Sequence, residues 1–286
     1  MILLNHHHQE NRWAIRCVII LLGLWQSSLV KSPCSFAEAQ PERPNVVILF
    51  TDDQGTLDAN CFGSPDLHTP NIDALAARGI RFTQAYAHTV CCPSRAALLT
   101  GRHPQRGGVR HWTQGNMAGP KGINMFLEEV TLAETLKKSG YRTALFGKWH
   151  LGAHRDYGPK KQGFDEFFGI RDGFIDNYNH YFLHRNGFHD LYEGTDRVEA
   201  DGKYFPEMMT DRAVEFINRN QHQPFFLYVP FNAPHNSSAL APDIRSTVQA
   251  PDRFKNLYPL VDPEFRMLDS DSESSILNSG SGIMYS

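Results

Sequence analysis

The 286-residue chain has no apolar stretch long enough to span a membrane. Its longest, Cys17 to Trp25, falls well short of the roughly 20 residues that a bilayer requires. Strong charge of either sign is also missing. The 28 basic and 31 acidic side chains leave a formal net charge of −3. Proteins that neutralise a phosphate backbone carry a basic excess, so nucleic acid is not expected as a partner. Cysteine is scarce, five in all, too few for a fold built on disulfides. No internal repeat occurs, which removes solenoids and propellers. What remains is a chain of 41% hydrophobic and 21% charged residues. That is the composition of a globular protein, at a length that suits one large domain or two small ones.

The N-terminus reads as an export signal. Arg12 and Arg16 form a basic flank, Cys17 to Trp25 an apolar run, and Ala37-Glu38-Ala39 a small-residue cleavage site. Residues 1–39 are therefore expected to be removed during export to a periplasmic, extracellular or lysosome-like compartment. An uncleaved anchor is the alternative. After cleavage no stable membrane insertion is expected. His6, His7 and His8 would leave with the signal and are assigned no metal. Cys17 and Cys34 would leave too, so the mature chain keeps Cys61, Cys91 and Cys92. An odd number of thiols in an oxidising compartment calls for an explanation. Whether Cys61 and Cys92 pair stays open. Residues 40–261 are expected to form the globular part, and 262–286, mainly Ser, Asp and Gly without a period, an irregular tail.

Within the globular part, Asn45 to Thr51 is continuously apolar and rich in branched residues, the pattern of a strand buried on both faces. Asp52-Asp53 follows at once. Thr69-Pro70 offers a helix start, Ile72, Leu75 and Ala76 recur at helical spacing, and Gly79 stops the helix. Ile80 to Tyr86 alternates as a strand would. Ser94 to Leu99 reads as a short helix closed by Gly101. Thr131-Leu132-Ala133-Glu134 is a capping box whose helix ends at Gly140. Tyr141 to Phe146 is a strand leading to Lys148-Trp149-His150. A helix between Pro206 and Asn218 places Met209, Ala213, Phe216 and Ile217 on one face. Pro224 to Phe231 is a further buried strand running into Asn232-Ala233-Pro234-His235. Strands alternating with helices predict an α/β fold with a mostly parallel sheet and helices on both faces. Ligands gather beyond the carboxyl ends of such strands. Asp52, Lys148 and His235 each follow a strand within a few residues, so a parallel sheet would bring them to one edge.

Cys91-Cys92-Pro93-Ser94-Arg95, continuing through Ala96-Ala97-Leu98-Leu99-Thr100-Gly101, carries the chemistry. With Arg43-Pro44-Asn45, Asp52-Asp53, His68 to Asp73, Gly147-Lys148-Trp149-His150-Leu151-Gly152 and Gly163-Phe164-Asp165, it resembles the type I, formylglycine-dependent sulfatases over roughly Arg43 to Tyr258. The resemblance implies an alkaline-phosphatase-like fold and hydrolysis of an aryl or carbohydrate sulfate ester. It implies that a separate formylglycine-generating enzyme converts Cys91, with Pro93 and Arg95 fixing which of the two cysteines is meant. It also implies one divalent cation, calcium or alternatively magnesium, on Asp52, Asp53 and the modified Cys91. Hard cations take oxygen ligands of this kind. Arg95, Lys148, His150 and His235 are the implied catalytic partners. Independently, a helix start after Cys91 favours an anion there, and Arg95 offers a planar fork suited to sulfate oxygens.

The implied reaction runs through a formylglycine hydrate that attacks sulfur. Arg95 and Lys148 hold the sulfate oxygens, His235 assists the leaving alcohol, and His150 takes the proton that frees the sulfate. The resemblance further implies a later Asp-Asn or Asp-Gln pair after another strand, and a further lysine. Neither follows Tyr258. Asp176-Asn177 does not follow an apolar strand and is left unassigned, and Ile170-Arg171-Asp172-Gly173 stands where many relatives place a serine. The chain is accordingly expected to be a shortened member, with a weakened cation site and a sheet edge left open. Two rival readings remain: a phosphomonoester or phosphonate hydrolase of the same superfamily, and an inactive remnant.

Overall fold

A computed structural model describes residues 43–110, 122–182, 187–238 and 249–258. The expected signal segment 1–39 and irregular tail 262–286 lie outside these. Among the described residues no helix is long and apolar enough to cross a membrane.

Four strands form the parallel heart of the fold: β1 (Val46–Asp52), β2 (Arg142–Lys148), β3 (Glu166–Ile170) and, last in the chain, β8 (Phe225–Pro234). Two short strands, β4 (Tyr181–Phe182) and β5 (Phe188–His189), pair in a separate antiparallel ribbon. β6 (Tyr192–Glu193) and β7 (Asp196–Arg197) extend the main sheet antiparallel beyond β3. Its order is β1-β8-β2-β3-β6-β7. β8 thus enters between β1 and β2, parallel to both, and the carboxyl ends of the three strands share one edge. The expected α/β architecture is present.

Alternation along the strands divides the core in two. Phe226 and Tyr228 of β8, with Ile48 and Leu145, face helices α2 (Cys91–Thr100) and α3 (Leu132–Lys138) through Cys92, Ala96, Leu99 and Ala133. Phe225, Leu227 and Val229, with Ala144 and Phe146, face helix α4 (Phe205–Asn220) through Phe205, Met209, Ala213 and Phe216. Each fully buried side chain of this size contributes about 1.5–3 kcal/mol. The first helix, α1 (Pro70–Arg78), is peripheral and buries no residue fully.

Local signals hold in detail at several places. The Thr131 hydroxyl accepts from the Glu134 N–H at 3.1 Å, and the Glu134 carboxylate accepts from the Thr131 N–H at 2.8 Å. Gly101 adopts the left-handed conformation that ends α2, its N–H bonded to the Ala97 carbonyl.

Four expectations are corrected. Helix α2 begins at Cys91 rather than near Ser94, with Val90 as its N-cap. Pro93 tolerates the first turn because it needs no intrahelical donor there. Ile80 to Tyr86 is not a strand. No neighbouring strand offers it a ladder among the described residues, and Ile80, Phe82 and Tyr86 are exposed. Ile217 sits at the rim of the α4 face rather than within it. β1 is an edge strand among the described residues and is not buried on both faces, since Leu49 is 44% exposed.

Gly147, one residue before Lys148, holds β2 against β8. Its φ is +138°, and an added Cβ would fall 2.1 Å from the Pro230 carbonyl oxygen. No side-chain rotation relieves a clash with backbone. Gly147→Ala is therefore expected to destabilise the fold by about 3 kcal/mol or more, read as a lower midpoint in urea unfolding. A midpoint equal to that of the unaltered chain would show that β2 and β8 are not packed this closely.

Candidate active site

The sheet edge carries the predicted residues, and the contacts among them begin with Asp52. It ends β1, is 3% exposed, and sits between two buried cations. The Lys148 ammonium donates to its Oδ2, and the Arg95 Nη2 lies 3.2 Å from its Oδ1. Arg95 and Lys148 are both fully buried. Arg95 also donates from Nη1 to the Lys148 carbonyl at 3.0 Å, and its guanidinium lies over the Phe50 ring at 5.3 Å. One carboxylate thus faces two cations, which leaves a surplus positive charge inside the protein. Buried charge is costly unless paired, so this arrangement selects for a further anion. The Arg95 Nε, buried and without a hydrogen-bond partner, is a donor free for one.

Cys91 opens helix α2. Its N–H and that of Cys92 precede the first intrahelical bond, which Ser94 makes to Val90 at 3.3 Å. The positive end of the helix therefore meets the Cys91 side chain. The Cys91 thiol is shifted strongly down, by a hydrogen bond from Cys92, by one from His150 and by the Lys148 charge, against the opposing effect of burial. An environment that favours a thiolate favours any anionic oxygen at the same position. His150 is buried, and burial above all lowers its pKa to about 4, so its imidazole is neutral. Its Nε2 lies 3.2 Å from the Cys92 Sγ. The extended run expected to carry His150 stops at Lys148, for His150 itself has φ +55°. Lys148 and His150 still reach one target, since both lower the Cys91 thiol.

Asp53 and His235 form the outer part. Asp53 has φ +62° and an exposed carboxylate, with the His235 Nε2 3.6 Å from its Oδ2. The His235 ring stacks on Phe174 at 5.4 Å and 20°. No described contact joins His235 to Cys91. Cys61, Cys91 and Cys92 are free thiols, so Cys61 and Cys92 do not pair. Asp176-Asn177 serves the loop instead. Asp176 accepts from the Tyr178 and Asn179 N–H groups, and the Asn177 side-chain Oδ1 accepts from the Asn232 side-chain amide at 2.6 Å.

For a cation, the donor chemistry of Asp52 and Asp53 fits. They are adjacent hard oxygens, one buried and one turned outward by a left-handed backbone. They make only part of a shell of six to eight, and Asp52 already serves Lys148 and Arg95.

Sequence reasoning missed the layer behind His150. Asp172 lies 3.9 Å from its Nε2, and a Cβ on Gly173 would meet its ring at 2.8 Å. Burial, then the charge of Asp190, raises Asp172 to about 8. The signal was present. Asp172-Gly173 lies just past the end of β3, much as Asp52-Asp53 lies at the end of β1.

Comparison with known proteins gives the family. The Sulfatase family model matches residues 44–273. Mouse arylsulfatase J is 35% identical over 227 residues, covering 77% of this chain and 36% of its own length. Human N-acetylgalactosamine-6-sulfatase is 36% identical over 216 residues, covering 70% of this chain and 41% of its own. The solved structure of Ps i-CgsB in complex with k-i-k-neocarrahexaose superposes with a TM-score of 0.66 at 30% identity, over 79% of this chain and 50% of that one. The chain thus spans half or less of the length of these relatives. A family match over most of the chain, on a mostly parallel α/β sheet with its charged residues at one edge, means that this protein belongs to the sulfatase family.

Proposed function

We propose that this chain hydrolyses a sulfate ester of an aryl or carbohydrate alcohol, with residue 91 as nucleophile after its conversion to formylglycine by a separate maturation enzyme. The surplus positive charge buried beside Cys91 carries the reading, since it would complement a sulfate and its transition state. Export through a cleaved signal at 1–39 belongs to the same proposal.

In this reading the aldehyde at 91 is hydrated. One hydroxyl oxygen of the hydrate attacks sulfur and gives up its proton to solvent as the sulfur–oxygen bond to the alcohol breaks. His235, on the outer side, supplies a proton to the departing alkoxide. Arg95 and Lys148 neutralise charge on the sulfate oxygens. His150 then takes the proton of the second hydroxyl. The C=O bond re-forms, the C–O bond to sulfate breaks, and water regenerates the hydrate. The neutral imidazole of His150 suits a proton acceptor. A divalent cation, calcium or magnesium, would be held by Asp52, Asp53 and the residue-91 oxygen, and when bound would favour ionisation of the hydrate.

The full chain, co-expressed with a formylglycine-generating enzyme, is expected to hydrolyse nitrophenyl sulfate faster than nitrophenyl phosphate. The peptide carrying residue 91 should react with an aldehyde-specific hydrazide. A preference for phosphate would overturn the reading. Cys91→Ala should abolish both hydrazide labelling and turnover. Lys148→Met should lower kcat/KM on the order of 100- to 1,000-fold while leaving labelling intact. A Lys148→Met enzyme with unchanged kcat/KM would remove that residue from the site. Dialysis against a chelator should suppress turnover, and calcium or magnesium should restore it. Full activity after chelation would exclude the cation from the reaction.

A further inference from the structure

A second constellation lies away from the sheet edge, around the small ribbon. His180 directly precedes β4, His189 ends β5, and Asp201 sits in the turn between β7 and α4. One ligand atom from each lies within 4.8 Å of the other two. His180 is fully buried and His189 is 2% exposed, while Asp201 is exposed. The geometry points to a transition-metal site of the zinc class, held by His180, His189 and Asp201, with Glu199 beside it.

Three observations support it. The first is the hydrogen bonding of the rings. His180 Nε2 lies 3.1 Å from the Lys203 carbonyl, to which it can only donate. Its lone pair is then on Nδ1, which is buried without a hydrogen-bond partner. A backbone carbonyl that fixes the outer nitrogen of a ligating histidine is the usual support of a zinc ligand. Neither ring nitrogen of His189 makes a hydrogen bond, and Nε2 faces the Glu199 carboxylate at 3.4 Å. A buried imidazole nitrogen without a hydrogen bond is costly unless something fills the space beside it.

The second is charge. Glu199 Oε2 lies 3.4 Å from His189 Nε2, so two carboxylates, Asp201 and a Glu199 that also pairs with Arg197, line the exposed side of the cluster. The third is the backbone, since His180 has φ +60°, a conformation that side-chain-bearing residues rarely hold without compensation.

Two imidazoles and a carboxylate are a zinc donor set, unlike the all-oxygen set that suits calcium or magnesium. Donors around a tetrahedral zinc stand roughly 3.3 Å apart, and the three ligand atoms lie within 4.8 Å of one another, so any remaining adjustment can come from Asp201 in its exposed turn. The bound ion would clamp the β4–β5 ribbon to the turn before α4. The clamp would extend towards the active edge, because the His180 N–H bonds to the Asp176 carbonyl at 2.8 Å, two residues from the Phe174 that stacks on His235.

The test is titration with zinc alone of the full chain carrying His6→Ala, His7→Ala and His8→Ala, which removes the N-terminal histidines as competing ligands. Calorimetry is expected to find one tight equivalent that persists in an Asp53→Asn, Cys91→Ala, Cys92→Ala background, which separates it from the catalytic cation and from the trio Cys91, Cys92 and His150. His189→Ala and His180→Ala should each weaken that equivalent at least tenfold. Because either variant could misfold, the unaltered cluster is also examined directly. With one equivalent of zinc, X-ray absorption should show two imidazoles among the ligands, and cobalt substituted for zinc should give the intense visible bands of a four-coordinate site. Absence of a tight equivalent would overturn the assignment, as would an all-oxygen shell or zinc affinity unchanged in both folded histidine variants.

Discussion

The buried contact of Asp52 with Lys148 and Arg95 is the constraint on which the rest of the active edge depends. It joins the end of β1, the end of β2 and the first turns of α2. Removing one partner of such a cluster leaves an uncompensated buried charge, typically at 3–5 kcal/mol. The arrangement is therefore poor as a source of stability and good as a source of alignment. It also fixes a sign. Two cations against one carboxylate need a further anion, and the Cys91 side chain at a helix start stands where that anion would complete the charge.

Topology makes this contact possible. β8, last of the described strands in the chain, enters between β1 and β2, so residues 96 positions apart in sequence meet at the mouths of strands separated by one neighbour. The close approach of β2 and β8 at Gly147 sets how Lys148 leaves the sheet. A side chain at 147 would push against the Pro230 backbone and shift the ammonium away from Asp52. The glycine before the lysine is thus part of the charge arrangement even though it bears no charge.

Much of this was legible from the residues. Apolar runs followed by Asp, Lys and His located three strand ends. The assumption of a parallel sheet then brought Asp52 and Lys148 together as observed, and His235 to Asp53. The capping box at Thr131 and the left-handed stop at Gly101 were read from local chemistry alone, because their hydrogen bonds lie within a few residues. What failed depended on distant partners. Ile80 to Tyr86 has strand-like alternation but no described neighbour to pair with. Asn45 to Thr51 has the composition of a central strand yet lies at a described edge. The start of α2 was misjudged because Cys91 and Cys92 are neutral as helix signals, and the N-cap is a valine with no side-chain acceptor. The buried Asp172 and Asp190 were overlooked because isolated acids look like surface residues until burial raises both.

Backbone strain ties the two candidate centres together. Among the described residues, the non-glycine positions with positive φ are Asp53, His150 and His180. Each lies just beyond a strand or just before one, and each belongs to a proposed site. Such conformations cost on the order of 1–3 kcal/mol apiece and persist only where the surroundings over-determine them. At Asp53 the twist separates two neighbouring carboxylates, one inward to Lys148 and one outward to His235. At His150 it turns the chain after an extended strand so that the ring reaches Cys92. At His180 it sets the ring against the Lys203 carbonyl. In each case the strained residue aims a ligating or proton-accepting side chain that ordinary strand geometry would have pointed elsewhere, which is why periodicity could place these residues near their sites but not orient them.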